Sequence, residues 1–184
     1  MVNVVVVFHS GYGHTEQVAM HVHKGLCSVP GVQASLMPVE NVEWDVLASA
    51  DAIVFGAPTY MGSVPAQFKQ FMDDSSKVWF MMGWLDKLAA GFTNSGALNG
   101  DKQVALQQLQ TFACQHGMVW LSFPDQPSGL GPNDTNRLGS NTGLMTQSDN
   151  DTPAMTPPAG DRRTAELFGA HIGQRTLRWR RGLL

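Results

Sequence analysis

The chain has 184 residues, 43% of them hydrophobic, which suits one compact domain with a full core. Charged residues make up 15% and the formal net charge is -3, so no electrostatic reason exists to expect nucleic acid or an anionic membrane as the main partner. No apolar stretch is long enough to span a bilayer, and Met1-Val2-Asn3 lacks the basic region of a signal peptide, so a soluble, cytoplasmic protein is expected.

Val4 to Phe8 is an unbroken β-branched and aromatic run, the pattern of a strand buried on both faces. A tight loop, Ser10 to His14, leads to a helix over about Thr15–Val29, with Val18, Val22, Leu26 and Val29 on one face. Pro30-Gly31 stops it, and Val32 to Val39 reads as a second strand. Asp51 to Ala57 is the third strand, followed by a helix from about Pro65 that carries Phe68, Phe71 and Met72. Lys87 to Phe92 is the fourth strand. A helix over about Asp101–His116 follows, capped near Asn99, and Met118 to Phe123 is the fifth strand.

Residues 124–160 break this rhythm, being rich in Pro, Gly, Asn, Ser and Asp. A last helix is expected over about Arg162–Arg180 with Asp161 as its cap. Arg175, Arg178, Arg180 and Arg181 suit the C-terminal end of that helix, where cations meet the negative end of the dipole. Alternating strands and helices joined by short loops predict a doubly wound, five-stranded parallel sheet with helices on both faces, in a single domain over 1–184.

Three of the predicted strands end in loops of small or polar residues, and ligands of open α/β sheets bind just beyond the carboxyl ends of the strands. The first loop, Ser10-Gly11-Tyr12-Gly13-His14-Thr15, opens a helix, where free N–H groups and the dipole favour a phosphate. It contains no Lys or Arg, so a phosphomonoester would be held by neutral donors alone. A P-loop would need Gly-Lys-Ser/Thr, and a dinucleotide fingerprint would need a third glycine where Glu16 stands. The second loop, Pro58-Thr59-Tyr60-Met61-Gly62, offers faces for a flat ring from Tyr60 and Met61, and backbone N–H groups for its edge. The third, Thr93-Asn94-Ser95-Gly96, adds small polar residues.

In their order and spacing these segments, with Lys87-Leu88-Ala89 and the later His116-Gly117-Met118, resemble the flavodoxin-like FMN proteins. The likeness is to the tryptophan-repressor-binding-protein type of NAD(P)H:quinone oxidoreductase and to NADPH-dependent FMN reductases. The resemblance implies a flavodoxin-like fold that binds FMN. Ser10 to Thr15 would hold its phosphate, and Pro58 to Gly62 and Thr93 to Gly96 would border the isoalloxazine. His116 would lie near the open side of the ring. Trp79 matches an aromatic that such proteins often supply from a neighbouring subunit, with Trp84 as the second candidate. Tyr60-Met61 stands where these proteins commonly have Arg-Phe, and residues 124–160 match poorly.

The activity implied is transfer of two electrons from NAD(P)H through FMN to a quinone or similar acceptor, in a homotetramer or, failing that, a dimer. The alternative is a flavodoxin-type one-electron carrier. Such carriers are usually strongly acidic, and a net charge of -3 is weak for that task. No metal site is expected. His21 and His23 are two apart and point to different sides of a helix, and Cys27 and Cys114 have no ligand spacing around them. A phosphate-accepting receiver domain would need acidic residues at the strand ends, and a serine hydrolase would need Gly-x-Ser-x-Gly; neither is present.

Overall fold

The computed structural model describes residues 1–182. Strands β1 (Val2–Phe8), β2 (Val32–Pro38), β3 (Ala52–Pro58), β4 (Leu88–Ser95) and β5 (Val119–Trp120) form a parallel sheet in the order β2-β1-β3-β4-β5. Helices α1 (His14–Cys27), α2 (Trp44–Ser49), α3 (Ala66–Asp74), α4 (Ser76–Phe80), α5 (Lys102–Gln115) and α6 (Ala159–Gly182) connect and cover it. The short α2 was not expected from the sequence.

The apolar run of β1 serves both faces of the sheet. Val5 and Val7 pack with Phe55, Phe71, Trp84 and Phe112 on the side of α3 and α5. Val4, Val6 and Phe8 pack with Val18, Val22, Leu26 and Phe168 on the side of α1 and α6. A strand enclosed on both sides has no polar face, which is why alternation is missing from its sequence. Trp84 is fully buried in the first of these cores and is therefore a packing residue.

The fifth sheet position departs from expectation. The strand expected over Met118–Phe123 pairs only as β5, Leu88 with Val119 and Ala89 with Trp120. The chain then leaves the sheet and returns as a sixth strand, β6 (Leu144–Gln147), which pairs in parallel with Phe92–Ser95 of the same β4. One edge position is thus filled by two short strands in succession. The Trp120 indole closes the joint, donating to Thr142 O at 2.7 Å, and Phe123 is buried against Phe168. The expected irregular stretch 124–160 therefore contains a strand.

Helix α6 begins at Ala159, ahead of Asp161, so Asp161 does not cap it. Its carboxylate is buried and bonds Arg137 Nε at 2.7 Å and Gln147 N at 2.8 Å, pinning β6 to the helix. Asn99 likewise provides no side-chain cap to α5, although its carbonyl accepts from Lys102 N at 3.2 Å. Among the described residues no helix is long and apolar enough to cross a membrane.

Candidate functional site

The carboxyl ends of β1, β3, β4 and β6 meet at one rim. There, four segments enclose a cavity of about 440 Å³. Ser10, Tyr12, His14 and Thr15 line it from the first loop, and Pro58, Thr59 and Tyr60 from the second. Asn94, Ser95 and Gly96 line it from the third. The fourth wall is Ser148–Asp151 with Pro153, which follows β6 and which the sequence reading did not assign to the site.

Each loop is fastened to its neighbour. Thr59 N donates to Asn94 O at 2.9 Å, and the Thr59 and Thr93 hydroxyls are 2.8 Å apart. Tyr60 and Ser63 exchange backbone bonds of 2.9 and 3.1 Å, which closes the second loop into a tight turn. Asn94 Oδ1 accepts from Thr146 Oγ1 at 2.8 Å and Ser148 Oγ at 3.1 Å, and Gln147 Nε2 donates to Gly96 O at 2.8 Å. His14 Nε2 donates to Asp151 O at 2.8 Å, which fixes its tautomer and holds the fourth wall over the first loop.

The first loop has the chemistry of an anion cradle. Gly13 adopts φ 86°, which few side-chain-bearing residues take, and turns the chain into α1. Ser10 Oγ accepts from Glu16 N at 3.1 Å, leaving its proton free to donate. The N–H groups of Tyr12, Gly13, His14 and Thr15 have no acceptor among the described residues. They sit at the positive end of a 14-residue helix. This donor set fits a terminal phosphate. The adjoining walls, an aromatic side chain and backbone-rich loops, fit a flat heterocycle.

The structure places some expected residues elsewhere. Met61 adopts φ 49° and its side chain is wholly in solvent, so it supplies no face to the cavity. Gly62, at φ 74°, serves the turn, and Thr93 is buried beneath the floor. Gly11 does not line the cavity, because the Tyr60 hydroxyl lies over it, and a Cβ there would come within 2.8 Å of that oxygen. Burial, and secondly the nearby Tyr12, push the Tyr60 phenol pKa up, so it remains a neutral hydroxyl.

His116 and Trp79 do not lie at this rim. Helix α5 starts beside Ser95 and runs 14 residues away from it, about 20 Å. His116 therefore sits at the opposite end of the sheet, where Gly117 O accepts from Asp86 N just before β4. His116 and Trp79 share a separate cavity of about 500 Å³ between α3, α4 and α5. His116 is buried, bonds Ser75 Oγ through Nε2 at 2.9 Å, and has no partner for Nδ1 among the described residues. Burial pushes its pKa down to about 4, so the ring is neutral at pH 7. Trp79, Phe80, Met81, Met82 and Leu85 leave an exposed apolar strip beside this cavity.

Among the described residues no cluster of His, Cys, Asp or Glu could hold a metal ion. His21 bonds Glu166 at 3.0 Å instead, and His23 the Ala34 carbonyl at 3.2 Å.

Comparison with known proteins identifies the family. A family model described as NADPH-dependent FMN reductase matches residues 12–123. Flavodoxin FldP of Pseudomonas aeruginosa is 44% identical, over 95% of this chain and 96% of that protein. An NAD(P)H dehydrogenase (quinone) of Geobacter sulfurreducens is 30% identical, over 81% of this chain and 90% of that protein. The crystal structure of a flavodoxin, WrbA-like protein from Agrobacterium tumefaciens superposes with a TM-score of 0.76 at 41% identity, covering 97% of this chain and 99% of that one.

Proposed function

The chain belongs to the NADPH-dependent FMN reductase family, and from that premise we propose that it binds FMN at the rim and passes two electrons from NAD(P)H to a quinone or similar small acceptor. The balance is one NAD(P)H and one proton consumed for each quinone reduced to its hydroquinone. Bound FMN supplies the redox chemistry, and the protein supplies binding, orientation and electrostatics. The observation that carries the reading is a set of free N–H and hydroxyl donors without a cation at the start of α1, continuous with a slot walled by Tyr60 and Asn94–Gly96.

In this reading the hydroxyls of Ser10 and Thr15 and the N–H groups of Tyr12 to Thr15 hold the phosphate. Pro58, Thr59, Tyr60 and Asn94 to Gly96 border the ring, with Thr93 bracing Thr59 from below. Trp79 and His116 line a cavity remote from their own rim, so they reach a flavin only as contributions to a neighbouring subunit's site. The exposed strip from Trp79 to Leu85 is the surface that such an assembly would cover, in a homotetramer or alternatively a dimer.

One observation favours the alternative of a one-electron carrier. Asp149 and Asp151 line the cavity, and carboxylates close to a flavin disfavour the extra negative charge of its reduced form. Steady-state oxidation of NADH and NADPH by the FMN-loaded protein, with and without benzoquinone, separates the two. The enzyme reading expects nucleotide consumption that matches quinone reduced, from an oligomer in sedimentation. No oxidation of either nucleotide overturns it in favour of the carrier. A monomer at micromolar concentration removes Trp79 and His116 from the site.

A further inference from the structure

Lys102 is a buried cation directly behind the third loop. Its side chain is wholly enclosed, and Nζ donates to Ser95 Oγ at 2.7 Å and Ala97 O at 2.6 Å. Ser95 Oγ in turn donates to Ala97 O at 3.0 Å, so the ammonium and the loop form one hydrogen-bonded unit.

This charge stands in an unfavourable place on three counts. No carboxylate lies within ion-pair distance of it among the described residues. Asp161, the acid that acts on it electrostatically, already serves Arg137 and the Gln147 amide. Lys102 is also the first residue of α5, where the helix dipole is positive and disfavours a cation. Burial lowers its pKa to about 8, against a smaller upward pull from Asp161 and with a further downward push from Arg137. A methionine or leucine would fill the same space without these costs. At pH 7 the group remains charged, and it is bonded to the loop whose Ser95 and Gly96 line the cavity.

We propose that Lys102 is a positioned positive charge that makes the rim site bind reduced FMN more tightly than oxidised FMN, acting through the third loop without touching the flavin. The inference rests on the reading that this loop borders the isoalloxazine. Reduction adds negative charge to the ring, and a buried ammonium acts on it through a medium that screens weakly. Asp149, bonded to Gln147 Nε2 at 2.8 Å, and the exposed Asp151 are the opposing charges in the cavity wall. Asp149 is exposed too, so water screens both carboxylates, whereas Lys102 is fully enclosed.

The test compares Lys102→Gln, which keeps an N–H donor for Ser95 and Ala97 but loses the charge, with Lys102→Arg, which keeps the charge. Oxidised FMN affinity is read by fluorescence quenching and the two-electron midpoint of bound FMN by redox titration at pH 7. Lys102→Gln is expected to lower the preference for reduced FMN about tenfold, a midpoint about 30 mV lower for a two-electron couple. Lys102→Arg should restore most of it. Lys102→Met, suited to an apolar surrounding, gives the same reading if the glutamine variant does not fold. An unchanged midpoint in the folded neutral variants, with wild-type FMN binding intact, makes Lys102 a loop anchor only and overturns the inference alone. A wild-type chain that binds no FMN overturns the site reading and this inference together.

Discussion

Ser10→Glu is expected to lower FMN affinity by orders of magnitude while the protein stays folded. Ser10 lines the cavity at the first loop, and its hydroxyl accepts from Glu16 N. A glutamate offers an acceptor for that same bond, so the helix start keeps its partner. What changes is charge. The new carboxylate stands where the phosphate dianion is held, and the loop has no Lys or Arg to relieve the repulsion. Two like charges about 4 Å apart at a protein surface repel by roughly 4 kcal/mol, close to a thousandfold in affinity. Fluorescence quenching reads the affinity and circular dichroism the fold. Undiminished affinity in the folded variant would place the phosphate elsewhere.

Gly169→Val is expected to destabilise the protein more than any change confined to the rim. Helices α1 and α6 touch backbone to backbone. A Cβ at Gly169 would lie 2.0 Å from Val22 O, and one at Gly25 would lie 2.0 Å from Glu166 O. Neither obstacle is a side chain that can turn aside. The helices must separate, opening the packing of Val18, Val22 and Leu26 against Phe168 and Ile172. Overpacking of this kind costs about 3 kcal/mol, well above the roughly 0.5 kcal/mol that helix propensity returns on replacing glycine. At roughly 3 °C per kcal/mol for a chain of this size, the melting temperature should fall by about 8 °C. Gly62→Ala is the control. It has open space around it and only a positive φ to lose, so its melting temperature should fall by less. An unchanged melting temperature for Gly169→Val would mean that the two helices do not approach this closely.

What the sequence made legible follows from how each element is held. Strands β1, β3 and β4 are buried on both faces, so their sequences are unbroken apolar runs that end in recognisable loops. Strand β6 is held differently. Thr146 and Gln147 are buried through hydrogen bonds to Asn94 and Gly96, and a polar pair of that kind reads as loop. The acidic segment Asp149–Asp151 could not be placed from sequence for the same reason, since it depends on β6 to reach the rim. Asp161 looked like a cap because it precedes an apolar helical pattern. Its partner, Arg137, lies 24 residues away and could not be known from local spacing.

The placement of His116 was within reach of the sequence. A helix that starts at the rim and runs 14 residues must deliver its last residue to the far end of the sheet, about 20 Å off. A resemblance in sequence places His116 near a flavin but carries no information on which subunit holds that flavin. Met61 is a plainer case. An apolar residue inside a ring loop invited a stacking role, but its positive φ in the Tyr60–Ser63 turn sends the side chain to solvent.

On the proposed reading, the first loop recognises a terminal phosphate and the neighbouring loops a flavin ring. Parallel titration of the apoprotein with FMN and with riboflavin, followed by fluorescence quenching, tests it most directly, because the two ligands share the ring and ribityl chain and differ only in the phosphate. FMN should bind tightly and riboflavin much more weakly. Equal affinity for the two would contradict it, since the four free N–H groups and the Ser10 hydroxyl would then have no part in recognition.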